Sequence, residues 1–559
     1  MYDTIRMPRH NYDCFFPFSK IRPEQRKAIE FALDAFENGK RYVVLNMGTG
    51  CGKSATAVTI ARYMQAHGER TFDEDNVPLS GAYVLTTQKV LQQQYLDDFG
   101  PGVGPSKNLM LSIKSSSNYK CGFYPDQTCA ESRRVLNQLG KKILGTEFHK
   151  HCKGFCGYSK DKQDFIESPI SVTNFSYFFA ETMYSKKLTP RDLLIIDECH
   201  NTETELGKFV EVTFSEKFAK EILKCKIPQH LNSQIDVFDW IKKTYQPSLA
   251  KYFKQVEKAI SQKLNENSVG FSDLSKQFEM LDKHICKVDR FLSTYTNDNW
   301  ICNIVHPDDF KKRAQRKFEF KPVDVSRFSY ENLFKFGGRS LLLSATIIDK
   351  HIFCQSIGLK PNDIEYLSIE SPFPAENRPI HFVPVGSLSK ATIDNTLPNL
   401  VEAVKMLLEQ HHDQKGIIHC VNFRIAQHLV DSLKSPRLLS HNSENRDEIL
   451  KSHISSKEPT VLVSPSMMEG VDLAGDASRF QILCKVPFPY LGDQVIKKRM
   501  ENNKQWYTYQ TIKSVVQAMG RSIRNETDHA SSYILDADWE RFFRMNRHMF
   551  PADFIVALS

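Results

Sequence analysis

Short runs of aliphatic and β-branched residues recur along the chain, each closed by polar or glycine-rich positions. The clearest are RYVVLN (41–46), GAYVLTT (81–87), ISVTN (170–174), DLLIIDE (192–198) and SLLLSAT (340–346). A second set comprises GIIHC (416–420), TVLVSP (460–465), QILCKVP (481–487) and YILDA (533–537). Uninterrupted apolar runs separated by helical spacing read as parallel strands buried on both faces, which predicts an α/β fold. Between about 205 and 320 the pattern changes. FSEKFAKEILKC, QPSLAKYFKQVEKAISQKLNE and FSDLSKQFEMLDKHICKVDRFLSTY place apolar residues three to four apart with Lys and Glu between them, predicting amphipathic helices.

Ligands on parallel sheets sit at the carboxyl ends of the strands, and here those ends carry candidate chemistry. NMGTGCGKS (46–54) joins the first run to the helical KSATAVTIARYMQAHG. Gly48, Gly50 and Gly52 let the backbone curl round phosphates, Lys53 reaches the terminal phosphates, and the Ser54 hydroxyl suits a magnesium ion. Met47 stands where the strict pattern has glycine. IIDECH (195–200) puts Asp197 where it would orient the metal and Glu198 where it would activate water. In QAMGRSIR (517–524), Arg521 and Arg524 are three apart and would face one way on a helix. Arginines reaching a γ-phosphate from a second domain stabilise transition-state charge; a solvated basic face is the alternative.

At 559 residues the chain has room for three or four domains, and its 41% apolar and 25% charged residues are ordinary for a soluble protein. The formal charge of +8 is compatible with nucleic acid. Residues 111–160 hold nine Lys/Arg against three Asp/Glu, a local surplus of six. The N-terminus lacks the order of a secretory signal, and no apolar run approaches the roughly 18 residues of a membrane span, so a cytoplasmic setting is expected. Thirteen cysteines, an odd number without an export signal, argue against a disulfide framework and towards metal or redox chemistry where they cluster.

Together these segments resemble the XPD/DinG-type iron–sulfur branch of the superfamily 2 DNA helicases. Arg22 and Gln25 in IRPEQ are similar to its adenine-reading element, DECH to its DEAH-like box, and LLLSAT (341–346) to motif III. SPFP (371–374) resembles a signature opening the second motor domain. HCVNF (419–423), SMMEGVDLAGD (466–476) and VPFPYLGD (486–493) resemble motifs IV and V and the segment after them, and QAMGRSIR resembles motif VI. The likeness runs from about residue 18 to 540 in the family's order.

The resemblance implies two RecA-like parallel-sheet motor domains with ATP and magnesium between them. Lys53, Asp197, Glu198, Gln517, Arg521 and Arg524 would be catalytic. Arg22, Gln25, Thr49, Gly50, Gly52, Lys53, Ser54, His200 and Asp472 would contact nucleotide, with Ser54 and Asp197 at the metal. It implies a monomeric motor moving 5′ to 3′ on single-stranded DNA, acting on forked or flapped duplexes or an RNA–DNA hybrid, without a membrane. The competing reading is a P-loop ATPase remodelling protein or protein–nucleic acid complexes without unwinding; a DNA-binding or redox module with an idle ATP site is a third.

The family also carries a four-cysteine [4Fe–4S] insertion before its DEAH-like box, and Cys121, Cys129, Cys152 and Cys156 occupy that interval here. Four thiolates hold either iron–sulfur or zinc, and intervals of seven, twenty-two and three residues do not decide between them. Cys129 fits the spacing least well, and His149 or His151 could replace one cysteine. The basic surplus, interleaved with Tyr119, Phe123, Tyr124, Phe155 and Tyr158, suits a single strand; packing round a cluster is the alternative use of those rings. The expected layout is motor domain 1 over 1–110, 165–204 and 321–350, the cluster domain over 111–164, a helical arch over 205–320, and motor domain 2 over 351–559.

Overall fold

A computed structural model describes residues 10–100, 110–132, 146–228, 230–263, 271–306, 316–442, 444–467, 473, 475–520, 522–523 and 528–559. In chain order the strands are β1 Tyr42–Met47, β2 Ala82–Thr86, β3 Met110–Ser112, β4 Ile170–Asn174, β5 Arg191–Asp197, β6 Val212–Ser215, β7 Trp300–Val305 and β8 Lys317–Pro322. They continue as β9 Gly337–Ser344, β10 Ile364–Ile369, β11 Ile380–Gly386, β12 Gly416–His419, β13 Leu438–Ser440, β14 Val461–Ser464, β15 Phe480–Leu483 and β16 Ser531–Asp536.

The first sheet runs β10-β1-β9-β5-β2-β4-β3 and is parallel throughout. Its central strands are apolar on both faces because helices cover both. Val44, Leu194 and Ile196 point into one core; Val43, Leu45 and Ile195 point into the other. The second sheet, β11-β16-β15-β12-β14-β13, is also parallel. This is the expected α/β fold with two parallel sheets.

Two features depart from the sequence expectation. β10 pairs in register with β1, so residues up to Ile369 belong to the first sheet, beyond position 350 where the second domain was expected to open. The stretch read as wholly helical carries the antiparallel sheet β6-β8-β7 beneath its long helices. Those strands alternate buried Phe318 and Phe320 with polar neighbours, which is how a sheet covered on one face stays stable.

Above that sheet the helices Gln246–Lys263 and Phe271–Thr294 pack as a hairpin, with Phe253 stacked on Phe278 at 4.6 Å. His284 Nε2 lies 2.9 Å from the Tyr245 hydroxyl, edge-on to Phe214. Burial, then the charge of Lys287, pushes this imidazole down to about 4. The unfolded chain therefore takes up a proton first as pH falls. Stability contributed by the neutral ring is complete above about pH 6.5 and is lost towards pH 4, at up to about 1.4 kcal/mol per unit. His284→Gln, which cannot charge, should flatten this acid limb in urea unfolding; an unchanged slope would contradict the assignment.

At the N-terminus, His10 is buried with Nε2 2.9 Å from Asp34 and Nδ1 3.1 Å from Glu37, which clamps the chain onto the helix Pro23–Glu37. No described helix is long and apolar enough to cross a membrane.

Candidate nucleotide site and cysteine insertion

The strand order β1-β9-β5 brings three carboxyl ends side by side, so the loop after β1, the DECH turn after β5 and the SAT segment after β9 meet at one edge. The loop after β1 needs its glycines. Gly50 and Gly52 have φ of +88° and +75°, and Gly52 starts the helix Lys53–His67 in the left-handed conformation. Space forbids a side chain too: a Cβ on Gly50 would lie 1.9 Å from Phe373, on Gly52 2.1 Å from Gln25, and on Gly48 2.5 Å from the Ser371 nitrogen. The loop is thus gripped by IRPEQ from one direction and SPFP from the other. Arg22 donates to the Gly50 carbonyl at 2.6 Å, Ser371 donates to the Thr49 carbonyl at 2.9 Å, and the Arg22 amide donates to Gln25 at 3.0 Å.

Lys53 Nζ stands 4.0 Å from Glu198 Oε1. Asp197 is buried at the end of β5, and Glu198 follows with φ +51°, an uncommon conformation for a residue with a side chain. Burial, reinforced by the Glu198 charge and opposed by Lys53, raises the Asp197 carboxyl to about 6. Its Oδ1 accepts the Glu198 amide at 2.9 Å, and its Oδ2 accepts the Tyr95 hydroxyl at 2.9 Å. Ser54 lies close enough to the Tyr95 hydroxyl to influence it.

His200 joins the two sheets' units. Its Nδ1 is 2.8 Å from Ser344 Oγ and 3.3 Å from Glu198 Oε2, while Nε2 accepts from the Gln517 amide at 2.7 Å. Gln517 also donates to Thr346 Oγ1 at 3.1 Å. It lies near the end of the helix Lys504–Met519, whose other end reaches the first sheet's unit through Glu203. Arg499 pairs with that carboxylate and covers the Trp506 ring at 4.0 Å, while Trp506 and Gln510 donate to it at 3.3 and 3.2 Å. Between the units lies a cleft of about 290 Å³ lined by Gly48, Thr49, Lys53, Glu198, His200 and Gln517. Arg521, Arg524 and Asp472 lie outside the described residues. Their neighbour Ile523 packs on Phe373, next to the phosphate loop.

Lys53, Ser54, Asp197, Glu198, His200 and Gln517 are thus gathered in one place, with Arg22 and Gln25 behind the loop. Tyr95, Ser344 and Phe373 are the contributors that residue-level reading passed over. A tyrosine at helical spacing reads as core, and only the packing of three elements reveals its hydroxyl's partners.

The cysteines form a second locus. Lys120 and Thr128 pair antiparallel, the Cys121 amide donates to Gln127 at 2.9 Å, and the Cys129 amide donates to Tyr119 at 2.7 Å. Cys152 lies on the helix Glu147–Gly154, and Cys156 precedes the helix Gly157–Glu167. Phe123 and Tyr124, beside Cys121, pack on Phe148 at 5.4 and 5.1 Å, so the two cysteine-bearing pieces face each other. Cys121 and Cys152 both lie close enough to add to the burial that raises the Tyr124 phenol. Cys121, Cys129 and Cys152 are buried, and none of the four is in a disulfide. His151 Nε2 is buried without a hydrogen-bond partner among the described residues, 2.9 Å from where a Gly122 Cβ would be. The described residues bring one trio of metal-type donors within 4.8 Å of each other, His10, Asp34 and Glu37, so no three of the sulfurs are that close. Four thiolates carried on two facing pieces are a donor set that suits zinc or an iron–sulfur cluster.

A phosphate loop on one parallel sheet, facing a second parallel sheet across a cleft, is the architecture of helicase-type motors. The "Helicase C-terminal domain" family model matches residues 405–552, and the "Type III restriction enzyme, res subunit" model matches 18–231. A probable ATP-dependent helicase of Methanocaldococcus jannaschii is 21% identical over 94% of this chain and 93% of its own. The ATP-dependent DNA helicase DinG of Photobacterium profundum is 25% identical over 39% of this chain and 34% of its own. Among solved structures, an XPD helicase superposes with TM-score 0.61 at 15% identity, over 95% of this chain and 98% of that one. These matches make the chain similar to the XPD/DinG-type branch of the superfamily 2 helicases.

Proposed function

We propose that the chain is an ATP-driven DNA helicase that translocates 5′ to 3′ on single-stranded DNA. The observation that carries this is the shared cleft: a phosphate loop and carboxylate pair on the first sheet reach Gln517 of the second through His200. Opening and closing of that cleft with the nucleotide would move one unit along a strand relative to the other. Lys53 binds the terminal phosphates, Ser54 and Asp197 hold magnesium, and Glu198 takes the proton of the attacking water. Arg521 and Arg524 are the proposed γ-phosphate contacts.

Cys121, Cys129, Cys152 and Cys156 would hold a [4Fe–4S] cluster, which supplies a rigid anchor for a segment too small to bury a core of its own. Support for a strand beside it comes from a groove of about 740 Å³ lined by Lys89, Gln93, Lys114, Asn118 and Tyr119, and from Phe155, 83% exposed next to Cys156. The expected substrates are forked or flapped duplexes, engaged by a single copy of the chain. Hydrolysis of ATP measured with and without single-stranded DNA tests the reading. Several-fold stimulation supports it; turnover indifferent to DNA but raised by an unfolded protein substrate would place the chain among protein-remodelling ATPases.

A further inference from the structure

Tyr95 lies on the helix Lys89–Phe99, which follows β2 and passes over the carboxyl end of the neighbouring strand β5. Its ring is 2% exposed, packed in the core beneath the phosphate-loop helix and edge-on to Phe99 at 5.7 Å. Nothing about that packing requires a hydroxyl. The hydroxyl nevertheless reaches the end of β5, donating to Asp197 Oδ2 at 2.9 Å, with Ser54 close by. With Oδ1 taken by the Glu198 amide at 2.9 Å, both oxygens of Asp197 are held, and the plane of the carboxylate is set.

We propose that Tyr95 is a positioning residue for the metal: its hydroxyl fixes the Asp197 carboxylate, beside Ser54, where a magnesium ion on the nucleotide meets it. The proposal rests on the nucleotide-site reading above and assigns the residue that readies that site. A phenol serves because it spans from an apolar core to a charged group on a rigid ring, at little cost in conformational freedom. Groups that orient metal-binding side chains commonly change metal affinity about 10- to 100-fold when removed.

Tyr95→Phe keeps the ring and removes the oxygen. Binding of a fluorescent, non-hydrolysable ATP analogue is titrated with Mg²⁺ in wild type and variant, with no turnover involved. The half-saturating Mg²⁺ concentration should rise roughly tenfold in the variant. Analogue affinity without Mg²⁺ should be unchanged, because the loop backbone and Lys53 remain. Hydrolysis should recover towards the wild-type rate at high Mg²⁺, with KM for ATP little altered. Tyr95→Leu, which fills less of the space but also lacks the hydroxyl, should show the same Mg²⁺ defect. Superimposable Mg²⁺ titrations for wild type and Tyr95→Phe would overturn the proposal. An equal loss of analogue affinity with and without Mg²⁺ would also overturn it, since that marks damaged packing under the loop. Wild-type protein that binds no nucleotide at any Mg²⁺ concentration would overturn the nucleotide-site reading and this proposal together.

Discussion

Lys53→Ala is expected to lower ATP hydrolysis by at least about 100- to 1,000-fold while leaving affinity for single-stranded DNA nearly unchanged. The lysine starts its helix under the phosphate loop and faces Glu198 at 4.0 Å, with its side chain mostly buried. A positive charge there opposes the rise in the Asp197 carboxyl, so its loss also leaves two adjacent carboxylates with less compensation. Metal and nucleotide binding should both weaken. Nothing in the groove beside the cysteine insertion depends on this side chain, which is why strand binding should persist. Steady-state hydrolysis and DNA-binding titrations on one preparation check both halves. Near-normal turnover would remove Lys53 from the site, and parallel loss of DNA binding would indicate a wider collapse.

The second large effect concerns the insertion. Protein purified without oxygen should be yellow-brown, with iron and acid-labile sulfide in similar amounts, and Cys121→Ser, Cys152→Ser or Cys156→Ser should bleach it. A serine oxygen is a poor replacement for thiolate on iron. Among its described residues the insertion has few large buried side chains, so losing the cluster should loosen the contact of Phe123 and Tyr124 with Phe148. Strand separation should then fail while ATP hydrolysis largely survives, because the insertion adds only Cys129, Tyr158 and a few neighbours to the large cores of the two parallel sheets. Cys129→Ser is the informative variant. Retained colour there would direct attention to His151, whose Nε2 already lies buried and unpartnered beside Gly122. A colourless wild-type protein with tightly held zinc and no sulfide would refute the cluster and leave the motor reading in place.

The two parallel sheets were legible because each central strand is buried on both faces and therefore written as an unbroken apolar run. β10 and β11 escaped notice for the opposite reason: Glu365, Ser368 and the proline of HFVPV interrupt them, and β10 enters the first sheet from beyond the SAT segment. The sheet β6-β8-β7 was hidden among helical patterns, since its alternation is short and its pairings are antiparallel and distant in sequence. At the site, residues whose role is fixed by backbone curvature and charge, such as Gly52, Lys53 and Asp197, announce themselves in the linear order. Residues defined by tertiary approach do not. Tyr95 looks like a core aromatic, Phe373 like part of a turn, and Glu203 like a surface acid, until the fold shows their partners.

Strand displacement on tailed duplexes tests the central claim most directly. A labelled DNA duplex with a 5′ single-stranded tail should be separated by the protein in the presence of ATP and Mg²⁺, and its 3′-tailed counterpart should not. Omission of ATP, or the Lys53→Ala substitution, should abolish separation. ATP hydrolysis that proceeds with DNA present, yet separates neither duplex and moves along neither tail, would contradict the account.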